Sequence, residues 1–216
     1  SVFSFINGLE LHGDQLILRR NLWFLAKYSG YQTIYLSAQE KDDRYQYLQM
    51  PSDLKNIDQK KFFGNMTPAV RDQIILKELL DLITKNSNQF IVVIKNGSHF
   101  PYEKNLDQKK YDLKRNESLE TIYKLSLKEN TINFLEKLIS SNNLNTEVLY
   151  FSDHGQSFKS KKLSHCNSLN PDIEEWEIPL LYYKGNKNKK IDINNNLKFY
   201  DFVLSMMGLK NSKTTD

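Results

Sequence analysis

The residues best suited to chemistry are Asp153 and His154, with His99 and His165 as further candidates. Asp153 and His154 close the stretch Glu147-Val-Leu-Tyr-Phe-Ser-Asp-His-Gly-Gln156, where an apolar run from Val148 to Phe151 stops at Ser152-Asp-His-Gly155. A short β-branched and aromatic run ended by a turn predicts a buried strand. The C-terminal end of such a strand is where open α/β sheets place their ligands. A carboxylate and an imidazole delivered side by side suit zinc or manganese. Gly155 is expected to let the backbone turn without a Cβ clash. The blander reading is a strand that ends in a polar turn.

The chain has four histidines, and three of them fall at similar places. His99 follows the apolar run Phe90–Ile94, His154 follows Val148–Phe151, and His165 lies in the loop after it. Neighbouring parallel strands would gather these loops at one edge of a sheet. Three imidazoles and a carboxylate converging there point to a metal or phosphate site rather than to satisfied core histidines. His12 has no such context and reads as surface. Asp172, Glu174, Glu175 and Glu177 form an acidic run that reads as a solvated face.

The elements that must position these residues alternate. Leu16 to Tyr28 predicts an amphipathic helix through Leu18, Leu22, Leu25 and Ala26, with Gly30 past its end. Tyr31 to Ser37 predicts a strand, and Gln39 to Met66 a loop-rich excursion with at most a short helix. Thr67-Pro68 opens a helix to about Lys85, with Pro at its first position and Val70, Ile74, Ile75, Leu79, Leu82 and Ile83 on one face. Phe90 to Ile94 predicts a fully buried strand, residues 103–116 a charged loop, and Ser118 to Ile139 a long helix. That helix is expected to turn Leu119, Ile122, Tyr123, Leu127, Ile132, Leu135 and Leu138 inward. Strands at 147–151 and 178–183 and a closing helix from Leu197 to Met207 complete the pattern. Residues 1–8 read as the tail of an element that starts earlier. Alternating strands and helices predict an α/β fold: a mostly parallel sheet with helices on both faces.

The length of 216 residues predicts a single domain spanning 1–216, and 39% hydrophobic with 26% charged residues is a globular composition. A net charge of +4, spread over many segments, gives no basic arm and argues against a nucleic-acid partner. The single Cys166 excludes an internal disulfide framework. The longest apolar runs are too short to cross a bilayer. The opening Ser1-Val-Phe, without Met, suggests a piece cut from something longer.

Ser152-Asp-His-Gly155 after an apolar strand resembles the metal-binding motif of the alkaline phosphatase–sulfatase superfamily. Within it, the chain resembles the bacterial phosphoethanolamine transferases that decorate lipid A and the lipopolysaccharide core. Asn21 to Gln39 is similar to that family's helix, glycine, strand and Ser-x-Gln ending. Gly97-Ser-His-Phe-Pro101 resembles its Gly-Ser-His-Gly-Pro segment, His165 stands about where a histidine follows Asp-His-Gly, and Ile178-Pro179 resembles the Val-Pro strand. The matches run in order along nearly the whole chain.

The resemblance implies a zinc-dependent transferase of alkaline phosphatase/sulfatase-like fold, with manganese as an alternative ion. A threonine nucleophile would take phosphoethanolamine from phosphatidylethanolamine through a phospho-threonine intermediate. Lipid A or lipopolysaccharide would be the acceptor. Asp153 and His154 match two metal ligands. His99 and His165 match positions near the substrate phosphate, where they could bind a second ion, hold the phosphate or protonate the departing alkoxide. The same resemblance places the domain in the periplasm, tied to the inner membrane by helices upstream of these residues. It also places the nucleophile and a glutamate ligand upstream, so these residues alone are expected to be inactive. The sequence departs from the family pattern with Phe3 for Pro, Phe100 for Gly and Gln156 for Glu, and it lacks the family's disulfides. Two other readings remain: a sulfatase-like or phosphoglycerol transferase-type phosphodiesterase, and a non-catalytic domain that binds anionic glycans or a partner.

Overall fold

The structure, a computed structural model, describes residues 2–8, 10–12, 15–41, 49–85, 88–111, 117–141, 146–159, 172–185 and 199–209. Helix α1 (Val2–Asn7) leads into a hairpin of β1 (Glu10–His12) and β2 (Gln15–Ile17). Helix α2 (Leu22–Tyr28) follows, then β3 (Gln32–Ser37), α3 (Pro51–Leu54), β4 (Gln59–Phe62), α4 (Pro68–Ile83) and β5 (Gln89–Ile94). After a 3₁₀ turn at Tyr102–Asn105, α5 (Leu119–Leu127) continues through a π turn (Lys128–Ile132) into α6 (Asn133–Ser140). The chain then makes β6 (Glu147–Phe151), α7 (Ile173–Trp176), β7 (Leu180–Lys184) and α8 (Phe199–Met206).

Strands β4, β3 and β5 form a parallel sheet in that order, with β3 central. Strand β6 pairs with β7 antiparallel, Phe151 opposite Leu180. Alternation along the strands feeds two cores, because successive side chains point to opposite faces. On one face Tyr35, Phe90, Val92 and Leu149 pack with Trp23 and Ala26 of α2 and with Tyr200, Val203 and Leu204 of α8. On the other, Ile34, Leu36, Ile91, Val93 and Val148 pack with Ile75, Leu76, Leu79 and Leu82 of α4 and with Phe134 and Leu138 of α6. Strand β6 thus supplies residues to both cores, as β3 and β5 do. The α/β fold with helices on both faces is the one the alternation predicts.

Several expectations are corrected. Helix α2 begins at Leu22, not Leu16: the Asn21 side chain accepts from the Trp23 and Phe24 N–H groups and fixes the start. Residues 15–17 ahead of it are a strand. The 39–66 excursion contains β4, an edge strand of sequence Gln-Lys-Lys-Phe whose first three residues are exposed, so it carries no apolar period. Strand β5 is half-buried rather than fully buried, and its described pairing is with β3 alone. Val70 and Leu119 lie on exposed helix faces, and Ile132 is 45% exposed. The π turn rotates the helix there and brings Asn130 and Thr131 inward in its place. The 103–116 stretch is not all solvated surface, since Asn105 and Leu106 are buried. His165 and Cys166 lie outside the described residues. Among the described residues no helix is long and apolar enough to cross a membrane.

Candidate metal and phosphate site

At the end of β5 the chain turns through Asn96-Gly97-Ser98 to His99. Gly97 has φ +59°, a left-handed conformation that glycine adopts without a Cβ penalty. The turn is held from α4: the Asp72 carboxylate accepts from the Asn96 N–H at 2.7 Å, the Gly97 N–H at 2.8 Å and Lys95 Nζ at 3.0 Å. Arg71 beside it donates to Asn96 Oδ1 and to the Gly64 carbonyl. The Asn105 side chain donates to the His99 carbonyl and accepts from Asn96 Nδ2. The backbone of this segment is therefore tied inward while the His99 ring is exposed. His99 Nδ1 lies 2.6 Å from the Phe100 carbonyl. A carbonyl only accepts, so Nδ1 carries the proton and Nε2 is the basic nitrogen of the neutral ring.

At the end of β6, Phe151 is wedged between Phe5 of α1 and Phe199 of α8, with ring centroids 5.3 and 5.2 Å away. Two residues on, Asp153 and His154 stand on the surface, their side chains 65% and 43% exposed. Asp153 Oδ1 lies 3.8 Å from His154 Nε2. His154 Nδ1 lies 2.7 Å from the Gly155 carbonyl, which assigns the same tautomer as in His99. The Ser152 hydroxyl donates to the His154 carbonyl at 2.7 Å and closes the turn.

Gly155 has a different role from the one expected. It is not among the residues with positive φ. A Cβ here would sit 1.9 Å from the Glu174 carbonyl oxygen, and the Gly155 N–H donates to the Glu175 carbonyl at 2.8 Å. The glycine lets α7 close on the Asp-His turn. The acidic run that read as a solvated face is the body of that helix. Asp172 caps it reciprocally with Glu175 and accepts from the Ser157 hydroxyl at 2.7 Å, while Glu174 pairs with Lys159.

The two turns are joined by aromatic packing. Phe158, four residues after His154, lies 6.2 Å from Tyr102 and 5.2 Å from Tyr123, and Phe100 lies edge-on to Tyr102 at 5.6 Å. The loop that carries Asp153 and His154 thus rests on the loop that carries His99. The Tyr150 phenol of β6 is pushed above its ordinary pKa by burial, with Thr131 of the π turn acting against the shift and the Asp72 and Asp153 charges adding to it.

These residues fit a metal as part of a ligand set. Two ligands at zinc distances on one tetrahedral ion stand about 3.3 Å apart, close to the observed Asp153–His154 separation. Among the described residues no group of three or more His, Cys, Asp or Glu side chains is arranged to hold an ion. Sequence reasoning missed Asp72, Lys95, Asn105 and Asn130. Asp72 had a visible sign: it stands at i relative to Ile75, Leu76 and Leu79, on the apolar face of α4, where a carboxylate must find donors.

The sulfatase family model matches residues 7–212, so this chain belongs to the sulfatase family. No curated protein matches it significantly in sequence. Among solved structures it is similar to the C-terminal periplasmic domain of EcEptC from Escherichia coli in complex with Zn, at 19% identity and TM-score 0.63, over 78% of this chain and 53% of that one. It is also similar to the lipoteichoic acid synthase LtaP from Listeria monocytogenes, at 13% identity and TM-score 0.68, over 98% of this chain and 60% of that one. A protein in the alkaline phosphatase superfamily from Vibrio parahaemolyticus aligns at 14% identity and TM-score 0.66, over 96% and 54% of the two chains. At such identities the likeness is one of fold. The chain spans between half and three fifths of the length of these structures.

Proposed function

We propose that this chain is the larger part of a metal-dependent phosphoryl-transfer domain that moves phosphoethanolamine from phosphatidylethanolamine to lipid A or the lipopolysaccharide core. The observation that carries the reading is the pair of turns: Asp153 beside His154 on one and His99 on the other, joined by Phe158, in a chain of the sulfatase family. Asp153 Oδ1 and His154 Nε2 would hold a zinc ion, or manganese in its place. When bound, the ion activates the nucleophile and neutralises charge on the phosphoryl oxygens. The nucleophilic threonine, the remaining ligands and the membrane helices are assigned to parts of the polypeptide outside these residues. The domain would then work in the periplasm beside the inner membrane.

His99 and His165 take the substrate side. With Nδ1 bonded to the Phe100 carbonyl, His99 presents Nε2, which accepts a proton or, protonated, donates to a phosphoryl oxygen. The same group can hand that proton to the departing alkoxide of the donor lipid. The His154 ring is fixed by the Gly155 carbonyl, as ligating histidines commonly are by a carbonyl or carboxylate. Phosphoglycerol transfer is the second reading, because the lipoteichoic acid synthase aligns with 98% of this chain.

The test is to express the full-length gene and analyse lipid A and core oligosaccharide by mass spectrometry. Phosphoethanolamine on either, lost in Asp153→Asn, supports the first reading. A phosphoglycerol product supports the second. The absence of both sinks the catalytic proposal.

A further inference from the structure

We infer that Asp72, with its partner Lys95, is a positioning residue that sets the turn presenting His99 to the transferred phosphoryl group; this rests on the reading above. Asp72 is 2% exposed and receives three donors from three consecutive residues: Lys95 Nζ, the Asn96 N–H and the Gly97 N–H. Lys95 is itself largely buried, so burial pushes its ammonium below the ordinary lysine range while Asp72 opposes the shift. Its Nζ also donates to the Asn130 carbonyl in the π turn and lies 3.6 Å over the Phe134 ring. The Asn130 side chain donates in turn to the Asn105 carbonyl at 2.8 Å, and the Asn105 side chain donates to the carbonyl of His99.

An ion pair enclosed in this way is costly to desolvate, and apolar residues of similar size commonly give equal or better stability. What apolar residues would not supply is a fixed acceptor for two successive backbone N–H groups. The Asp72 carboxylate supplies it on the inner side of the turn, and the Asn105 amide holds the far end of the same segment. Every hydrogen bond of the chain's 95–97 segment to Asp72 runs inward, and the His99 ring is left outward. The π turn is part of the device, since it carries the Asn130 carbonyl that receives Lys95. The turn bearing His99 is therefore referred to α4 and to the π turn together.

The experiment compares full-length wild type with Asp72→Asn and Lys95→Met, reading kcat and KM for lipid transfer, bound metal, and hydrogen exchange at Asn96 and Gly97. In Asp72→Asn those two amides are expected to exchange about tenfold faster or more, with β3 amides unchanged. The kcat is expected to fall on the order of 10²-fold, with KM within about twofold and metal content kept. Lys95→Met should move the same quantities less. A kcat that holds while the two amides open would overturn the inference, and so would a loss of metal and of β3 protection in step with kcat. If Asp72→Asn does not fold, Asn105→Ser, which removes the hold on the His99 carbonyl, must show the same split between kcat and KM. A wild type without turnover would defeat the functional reading alone. The exchange rates at Asn96 and Gly97 would still decide whether Asp72 fixes the turn.

Discussion

At the N-terminal edge of the parallel sheet, Asp58 accepts from the Thr33 N–H and hydroxyl at 3.0 Å each and from Lys27 at 2.6 Å. At the C-terminal edge, Asp72 accepts from two backbone N–H groups and from Lys95. The constellations are alike: one carboxylate, one lysine, and donors from the end of a strand. Their settings differ. Asp58 and Lys27 are partly exposed; the pair ties the end of α2 to the approach of β4, and the Thr33 bonds staple that approach to the start of β3. Asp72 and Lys95 are enclosed, and what they hold is a turn that ends in an exposed histidine. The first arrangement is an ordinary stabilising clamp. The second restrains a backbone at the edge where α/β sheets do their chemistry.

The largest effects are expected from substitutions at the C-terminal edge itself. Asp153→Asn keeps the shape of the side chain and removes the charge, and transfer by the full-length protein should fall on the order of 10²- to 10³-fold. Thermal stability should hardly change, because Asp153 is exposed. Gly155→Ala comes next. Its Cβ cannot coexist with the Glu174 carbonyl, so α7 must move and the Asp-His turn with it. A shift of this kind costs about 10²-fold in kcat, which steady-state kinetics would read.

Changes at the N-terminal edge should leave activity intact. Asp58→Asn is expected to cost about 1 kcal/mol of stability, measurable by urea denaturation, with kcat unchanged. The Lys27 hydrogen bond first, and then the Thr33 N–H, hold the Asp58 carboxyl down at about 2, against 3.8 ordinarily. A depressed carboxylate stabilises the fold above its unfolded pKa and loses that contribution as pH falls through the folded one. Wild type should thus lose stability between about pH 4 and pH 2, and the Asp58→Asn variant should lose less over that window. The smallest effect is that of Lys27→Ala. It should raise the Asp58 pKa toward its ordinary value, visible in a carboxyl NMR titration, with less than about 1 kcal/mol of stability lost.

What could be read from the sequence was what repeats locally. Ile75, Leu79 and Leu82 mark the face of α4, and Val148 to Phe151 define β6, because burial imposes a period on each. Strand β4 was invisible: an exposed edge strand of Gln-Lys-Lys-Phe has no inner face to mark it. Ile132 was misplaced because a π turn resets the helical phase, and no local propensity announces it; Leu119 stands in the first turn of α5, well ahead of that reset. The placement of Asp153 and His154 on a turn after β6 was legible from the apolar run that stops there. The contribution of Glu174 to Gly155, and of Asp72 to Gly97, was not, since these contacts join residues 19 and 25 positions apart.

Whether Asp153 and His154 hold an ion is read from the metal content of full-length protein, wild type and Asp153→Asn with His154→Gln, measured beside its transfer activity. Retention of a divalent ion by wild type and by the Asp58→Asn control, with loss of both ion and transfer in the double variant, is the result predicted. A double variant that keeps its ion, or that transfers as well as wild type, would contradict the assignment of Asp153 and His154 as ligands.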